Sequence, residues 1–318
     1  MKPQPSTVDA LSQQWLDVGD GHVLHLAQYG NPAGIPVLFL HGGPGSGCHV
    51  SDLQLFDLQK FRVLLLDQRG AGQSHPAGGL RHNDVLALLT DIERLRHWLG
   101  LERWCVAGGS FGATLGLIYG GLCPQRILAQ CYWGVFVPSA AGRSWLYGSS
   151  GAAKRFPVDY QRWCDTVPGD TENAVLAAYA SALQWPTRQL TAAWGRWERI
   201  LAFPWHPEPG ERLASGPGSA RIENHYACNH YFNAYTLMRA TLNHWPQQTQ
   251  LLQGEWDWVC PPWLLQQLLA DKRQPASLQL VPGGHHSLAD GRMCQAVIAA
   301  IAQMAENVPS PTKTGNRL

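Results

Sequence analysis

The stretch Trp104-Cys105-Val106-Ala107-Gly108-Gly109-Ser110-Phe111-Gly112-Ala113-Thr114-Leu115-Gly116-Leu117-Ile118-Tyr119 changes character twice. A short apolar segment of strand length gives way to a glycine-rich pentapeptide. A second apolar run, 113–119, then reads as a helix. Gly108-Gly109-Ser110-Phe111-Gly112 fits G-x-S-x-G. Strand, sharp turn and helix are the context in which that motif lifts a serine hydroxyl clear of a sheet. The outer glycines suit a turn too tight for side chains, and the helix aims its N-terminus at Ser110. The plain alternative is a glycine-rich turn with an idle serine, because short motifs misfire.

The same rhythm extends in both directions. Apolar runs at 37–40, 63–66, 105–107 and 251–253 read as buried parallel strands, each followed by glycine-rich or charged turn residues. A further strand is expected at 278–281. Between them lie helical patterns such as 86–99, where Leu88, Ile92, Leu95 and Leu99 keep a 3.6-residue period. Alternating strands and helices predict an α/β fold with a mostly parallel sheet flanked by helices. Residues 135–240 lack this rhythm and read as helices joined by Pro/Gly loops. About half of the aromatic residues fall in this third of the chain. The expected organisation is a core in two parts, 1–134 and 241–306, with an inserted helical cap at 135–240. A polar tail at 307–318 is expected to fray.

Composition narrows the function classes. Of the 318 residues 45% are hydrophobic and 15% charged, and the net charge is +1. A typical domain carries about a quarter charged residues. The near-neutral balance argues against nucleic acid as a partner, which needs a clustered basic surplus. No segment approaches the roughly 20 apolar residues that span a bilayer, so no membrane association is expected. No apolar segment follows Met1-Lys2-Pro3-Gln4-Pro5, so no secretory signal is expected. The eight cysteines are scattered without C-x-x-C, a poor match to metal or redox spacing. Free thiols, a cytoplasmic location and no metal are the expectations.

Further chemistry follows the strands. His41-Gly42-Gly43-Pro44-Gly45 follows the strand at 37–40. An oxyanion hole needs backbone N–H groups aimed at an exposed point, and Gly43 and Phe111 are the expected donors. A serine nucleophile also needs a base and an acid that orients it, in the chain order Ser, acid, His. Asp257 follows the strand at 251–253, and His285 and His286 follow that at 278–281. Only one of the two histidines can be the base. Glu198 shares one helix face with Trp194, Trp197 and Leu201. A carboxylate on an apolar stripe is costly unless paired. It either awaits a cationic ligand group or pairs with an arginine such as Arg196 or Arg199. Glu223 alone reads as a surface acid.

Taken in order, these motifs resemble the proline iminopeptidases of the α/β-hydrolase superfamily, over roughly residues 15 to 300. The resemblance rests on His41-Gly42-Gly43-Pro44-Gly45 and Asp67-Gln68-Arg69-Gly70-Ala71-Gly72-Gln73-Ser74. It continues through Asp91-Ile92-Glu93-Arg94-Leu95-Arg96, Gly108-Gly109-Ser110-Phe111-Gly112 and Arg221-Ile222-Glu223-Asn224-His225-Tyr226. It ends with Asp257-Trp258-Val259-Cys260-Pro261 and His286-Ser287. The resemblance implies release of an N-terminal proline from short peptides with a free amino end, without a cofactor. Ser110 attacks, His286 moves the proton and Asp257 orients His286, which is chosen because the family's histidine directly precedes Ser. Two family glutamates that hold the amino end map onto Glu198 and Glu223. Phe136 and Tyr147 match aromatic positions lining the proline pocket. Trp133, Phe111, Ala227 and Glu255 stand where the family usually has Arg, Trp, Phe and a basic residue. Ala227 is expected to widen the pocket and admit other small apolar first residues. A related esterase or amidase without amino-end selection is the alternative activity, and a non-catalytic binding protein on the same fold a third reading.

Overall fold

The computed structural model describes residues 8–205, 217–274 and 276–308. Eight strands form one sheet: β1 (Ser12–Gly19), β2 (His22–Gly30), β3 (Ile35–Leu40), β4 (Phe61–Leu66), β5 (Trp104–Gly109), β6 (Ile127–Trp133), β7 (Thr249–Gly254) and β8 (Ser277–Val281). Their order across the sheet is β1-β2-β4-β3-β5-β6-β7-β8. β2 runs antiparallel to both neighbours, and the pairs from β4 to β8 are parallel. All five strands expected from apolar runs are present, each somewhat longer than its run. Helix α1 (Val85–Trp98) replaces the expected 86–99, and α2 (Phe111–Leu122) follows β5.

Alternation along the strands divides the core into two faces, as a period of two requires. Leu38, Leu40, Leu64, Leu66 and Val106 pack with α1 and α2 on one face. Val37, Phe39, Val63, Leu65 and Cys105 pack on the other, against a short 3-10 turn at Val50–Leu55 and a C-terminal helix.

Between β6 and β7 the described residues hold helices and turns only. They are α3 (Ala140–Tyr147), α4 (Pro157–Cys164), α5 (Glu172–Ala182), α6 (Arg188–Ala202), α7 (Pro217–Cys228) and α8 (Ala234–Thr241). Their apolar side chains, Trp163, Tyr179 and Trp194 among them, belong to the same buried cluster as the α1/α2 face. The helices are locally well founded. Ser139, Thr171 and Thr187 each cap a helix by accepting a backbone N–H from its first turn. After β7 come α9 (Pro262–Ala270) and α10 (Gly291–Glu306), the helix that covers the second face. Most of the tail expected at 307–318 lies outside the described residues.

Candidate active site

Ser110 sits between β5 and α2 with φ 57° and ψ −126°, a conformation that L-residues rarely adopt. The motif glycines are explained by space. A Cβ on Gly112 would lie 2.1 Å from the Leu40 carbonyl oxygen, and one on Gly108 2.7 Å from the same atom. The Ser110 N–H donates to the Trp133 carbonyl at 3.0 Å, which ties the turn to β6. Ser110 is the residue before the first turn of α2, where backbone N–H groups have no partner within the helix. Phe111 supplies one of them.

The loop after β3 lies against this turn, for a Cβ on Gly42 would meet Ser110 Cβ at 3.0 Å. His41 anchors the loop and is no base. Its Nε2 accepts the Gln68 N–H at 3.0 Å, so Nδ1 carries the proton and donates to the Gly42 carbonyl at 2.9 Å. Burial lowers its pKa and keeps it neutral. Gly43 (φ 104°) lines the cavity beside Ser110.

Asp257 and His286 come together across the loops that follow β7 and β8. His286 Nδ1 lies 2.8 Å from Asp257 Oδ2. The other Asp257 oxygen accepts the N–H groups of Val259 and Cys260 at 3.0 and 2.7 Å, and Gln253 donates to Oδ2 at 3.0 Å. This buried and multiply bonded carboxylate is fixed in place. The second histidine is placed elsewhere: His285 Nδ1 lies 2.8 Å from Asp290, and its ring packs 4.9 Å from that of Phe203. Gly134 (φ 53°) backs the His286 ring, and a Cβ there would stand 2.8 Å from His286 Cε1. Glu255, unexpected at its position, accepts the Gly283 N–H at 2.8 Å and braces the histidine loop. The Ser287 N–H donates to the carbonyl of Ala202, the last residue of α6, at 3.1 Å.

Asp257, Cys260 and His286 bring one donor atom each within 4.8 Å of one another. The geometry favours an acid–base pair over a metal site, because the Asp257 oxygens already take four hydrogen bonds. Cys260 is buried, and burial followed by the Asp257 charge pushes its thiol well above the ordinary range, so it stays protonated.

Ser110, His286, Glu198 and Glu223 all open on one cavity of about 360 Å³. Glu198 on α6 and Glu223 on α7 share a hydrogen bond, and Trp194 Nε1 donates to Glu223 at 2.7 Å. Burial, then the Glu198 charge, raises the Glu223 carboxyl well above the usual carboxylate range. The arginine alternative fails for Arg196, which reaches Asp159 at 3.2 Å. A stack of aromatic rings fixes α6 from behind. Trp163 stands 5.2 Å from Tyr179, 5.8 Å from Trp194 and 5.8 Å from Tyr147.

Phe136 and Tyr147 both line the cavity. Ala227 is fully buried and is not among the lining residues, so the expected widening is corrected. Tyr231 forms that wall instead, its ring 4.7 Å from Phe136. Trp133 lines the cavity too, stacked 6.2 Å from Phe39. Sequence patterning misses Tyr231 because it sits in an irregular turn, and misses Gly134 because a single glycine after a strand carries no motif.

A family model for the alpha/beta hydrolase fold matches residues 35–291. A proline iminopeptidase of Xylella fastidiosa is 35% identical over 302 residues, covering 90% of this chain and 94% of that protein. One from Neisseria gonorrhoeae is 31% identical over 296 residues, with the same coverage. A solved structure of a proline iminopeptidase-related protein from Thermus thermophilus is 24% identical. It covers 93% of this chain and 99% of its own with a TM-score of 0.62, which extends the likeness to the fold. With a fold model over most of its length and relatives at 31–35% identity across 90% of it, the chain belongs to the proline iminopeptidase family of the α/β hydrolases.

Proposed function

We propose that this protein is a serine aminopeptidase that releases N-terminal proline from short peptides with a free amino end. The observation that carries the reading is the shared cavity. A hydrogen-bonded pair of glutamates and the candidate nucleophile and base open on the same cavity. In this reading the peptide's protonated imino group enters between Glu198 and Glu223, where charge-assisted hydrogen bonds hold it. The first ring lies along Phe136 and Tyr147. The first carbonyl then faces Ser110 Oγ.

His286 donates its Nδ1–H to Asp257, which leaves Nε2 free to accept the Ser110 proton. Ser110 Oγ bonds to the carbonyl carbon, and the oxyanion takes the N–H groups of Gly43 and Phe111. The proton passes from His286 to the leaving amine as the peptide bond breaks. Water hydrolyses the resulting acyl-enzyme by the same base. Residues 135–240 act as a cap that supplies the glutamates and the ring pocket, on a core made of 1–134 and 241–306. Among the described residues no helix is long and apolar enough to cross a membrane. The free cysteines support a reducing, cytoplasmic setting.

The test compares a prolyl arylamide, its N-acetyl form and a simple aryl ester. N-acetylation is expected to lower kcat/KM about 10⁴-fold, the scale on which a site with unpaired buried polar groups rejects an analogue. Equal rates with and without the acetyl group reject the glutamate clamp and favour an esterase or amidase.

A further inference from the structure

Four consecutive residues between α7 and α8 have left-handed backbone: His230 (φ 48°), Tyr231 (51°), Phe232 (49°) and Asn233 (60°). Of these Asn and His are enriched in that region and Tyr and Phe are not, and a run of four is far from the ordinary behaviour of L-residues. Such a segment persists only where its surroundings determine it, and such segments concentrate at functional sites. The reversed hand sends successive side chains to opposite places. Phe232 goes outward against His225 and Tyr226, at 5.2 and 5.0 Å between ring centres. Tyr231 goes inward, is 2% exposed, and lines the cavity that holds Ser110 and Glu223.

Once inside, the ring is held on several sides. Phe136 stands 4.7 Å away and Phe111, the residue after the candidate nucleophile, 6.2 Å away. The Tyr231 and Tyr147 hydroxyls lie close enough to influence one another electrostatically. The two phenols, one from the loop after α7 and one from the end of α3, both line the cavity. Ala227, a turn earlier in the chain, is not among the lining residues.

We propose that Tyr231 is a specificity-determining residue that sets the size of the first residue the enzyme accepts. Its ring closes the pocket beyond Phe136, and packing against the Phe136 and Phe111 rings keeps that closure in place. Compact first residues such as proline fit in front of it, and long or aromatic ones meet it. This deepens the aminopeptidase reading and rests on it.

The experiment measures kcat/KM for prolyl, leucyl and phenylalanyl arylamides with the wild type, Tyr231→Gly and Tyr231→Phe. Glycine takes left-handed φ without strain, so the first variant removes the ring while favouring the turn. The Leu/Pro and Phe/Pro ratios are expected to rise at least about tenfold in Tyr231→Gly, the lower end of what pocket volume is worth in discrimination. In Tyr231→Phe, which keeps the ring, they should move less than about threefold. If Tyr231→Gly fails to fold by circular dichroism, Tyr231→Asn carries the same expectation, since Asn also tolerates the turn. A folded ring-deleted variant whose ratios stay the same as wild type overturns the inference alone. A wild type that releases no first residue from any of the three overturns the aminopeptidase reading and this inference with it.

Discussion

Gly134 has no side chain, and the His286 ring uses the space that one would fill. Alanine there both strains a backbone at φ 53° and pushes the imidazole away from Asp257. A displacement on the order of 1 Å near the chemistry costs about 100-fold in rate. Gly134→Ala is therefore expected to lower kcat about 100-fold with KM little changed, as steady-state kinetics would read. Glu223 poses the opposite trade. Its folded-state pKa is raised, so the neutral carboxyl is tolerated and the buried anion is not. Stability is kept below the ordinary carboxylate pKa and is lost as pH rises through the raised value. Glu223→Gln keeps the neutral form at all pH. It should melt at a higher temperature than wild type at about pH 8, with the gap closing at about pH 4. Prolyl arylamide cleavage should fall about 10–150-fold, the worth of a hydrogen bond to a charged group. Equal melting curves in alkaline buffer would show that the buried charge is harmless. At this scale residue patterning alone left one choice open, and the family resemblance chose His286. In space the two adjacent histidines meet different carboxylates, Asp290 for His285 and Asp257 for His286.

Elements are legible where one physical signal dominates. β3, β4, β5 and β7 are largely buried on both faces and read as plain apolar runs. Three strands are hidden from that signal, each for its own reason. β1 alternates half-buried and exposed residues at the sheet edge, and Trp15 on it is 50% exposed. β2 buries His22, His25 and Gln28. β6 is broken by Gln130, buried because Nε2 donates to Thr249 on the neighbouring strand at 2.7 Å. Polar residues with dedicated partners hide a strand from any apolar pattern. The helix carrying Glu198 is visible from its stripe, but not the ring stack behind it. Trp163 is the hub of that stack. Trp163→Ala should cost about 3–5 kcal/mol in urea unfolding. It should also raise KM more than it lowers kcat, since α6 carries a proposed binding group and not the nucleophile. A fall in kcat alone would count against that division.

For the whole molecule, scarce charge and many rings have a common origin. The apolar cluster on one sheet face runs without a break into the helices between β6 and β7, so a large interior is closed with few ions. The acids buried in it stand out, and Glu223 does so most, because its hydrogen-bond partner Glu198 is another acid. What the string could not reveal is that the long excursion between β6 and β7 returns to the loop carrying His286. The bond from the Ser287 N–H to the Ala202 carbonyl joins the end of α6 to the residue after His286. Its consequence is mechanical: a displacement at the end of α6 is passed directly to the residue after His286, so the two segments are tied to one another although they lie far apart in the chain.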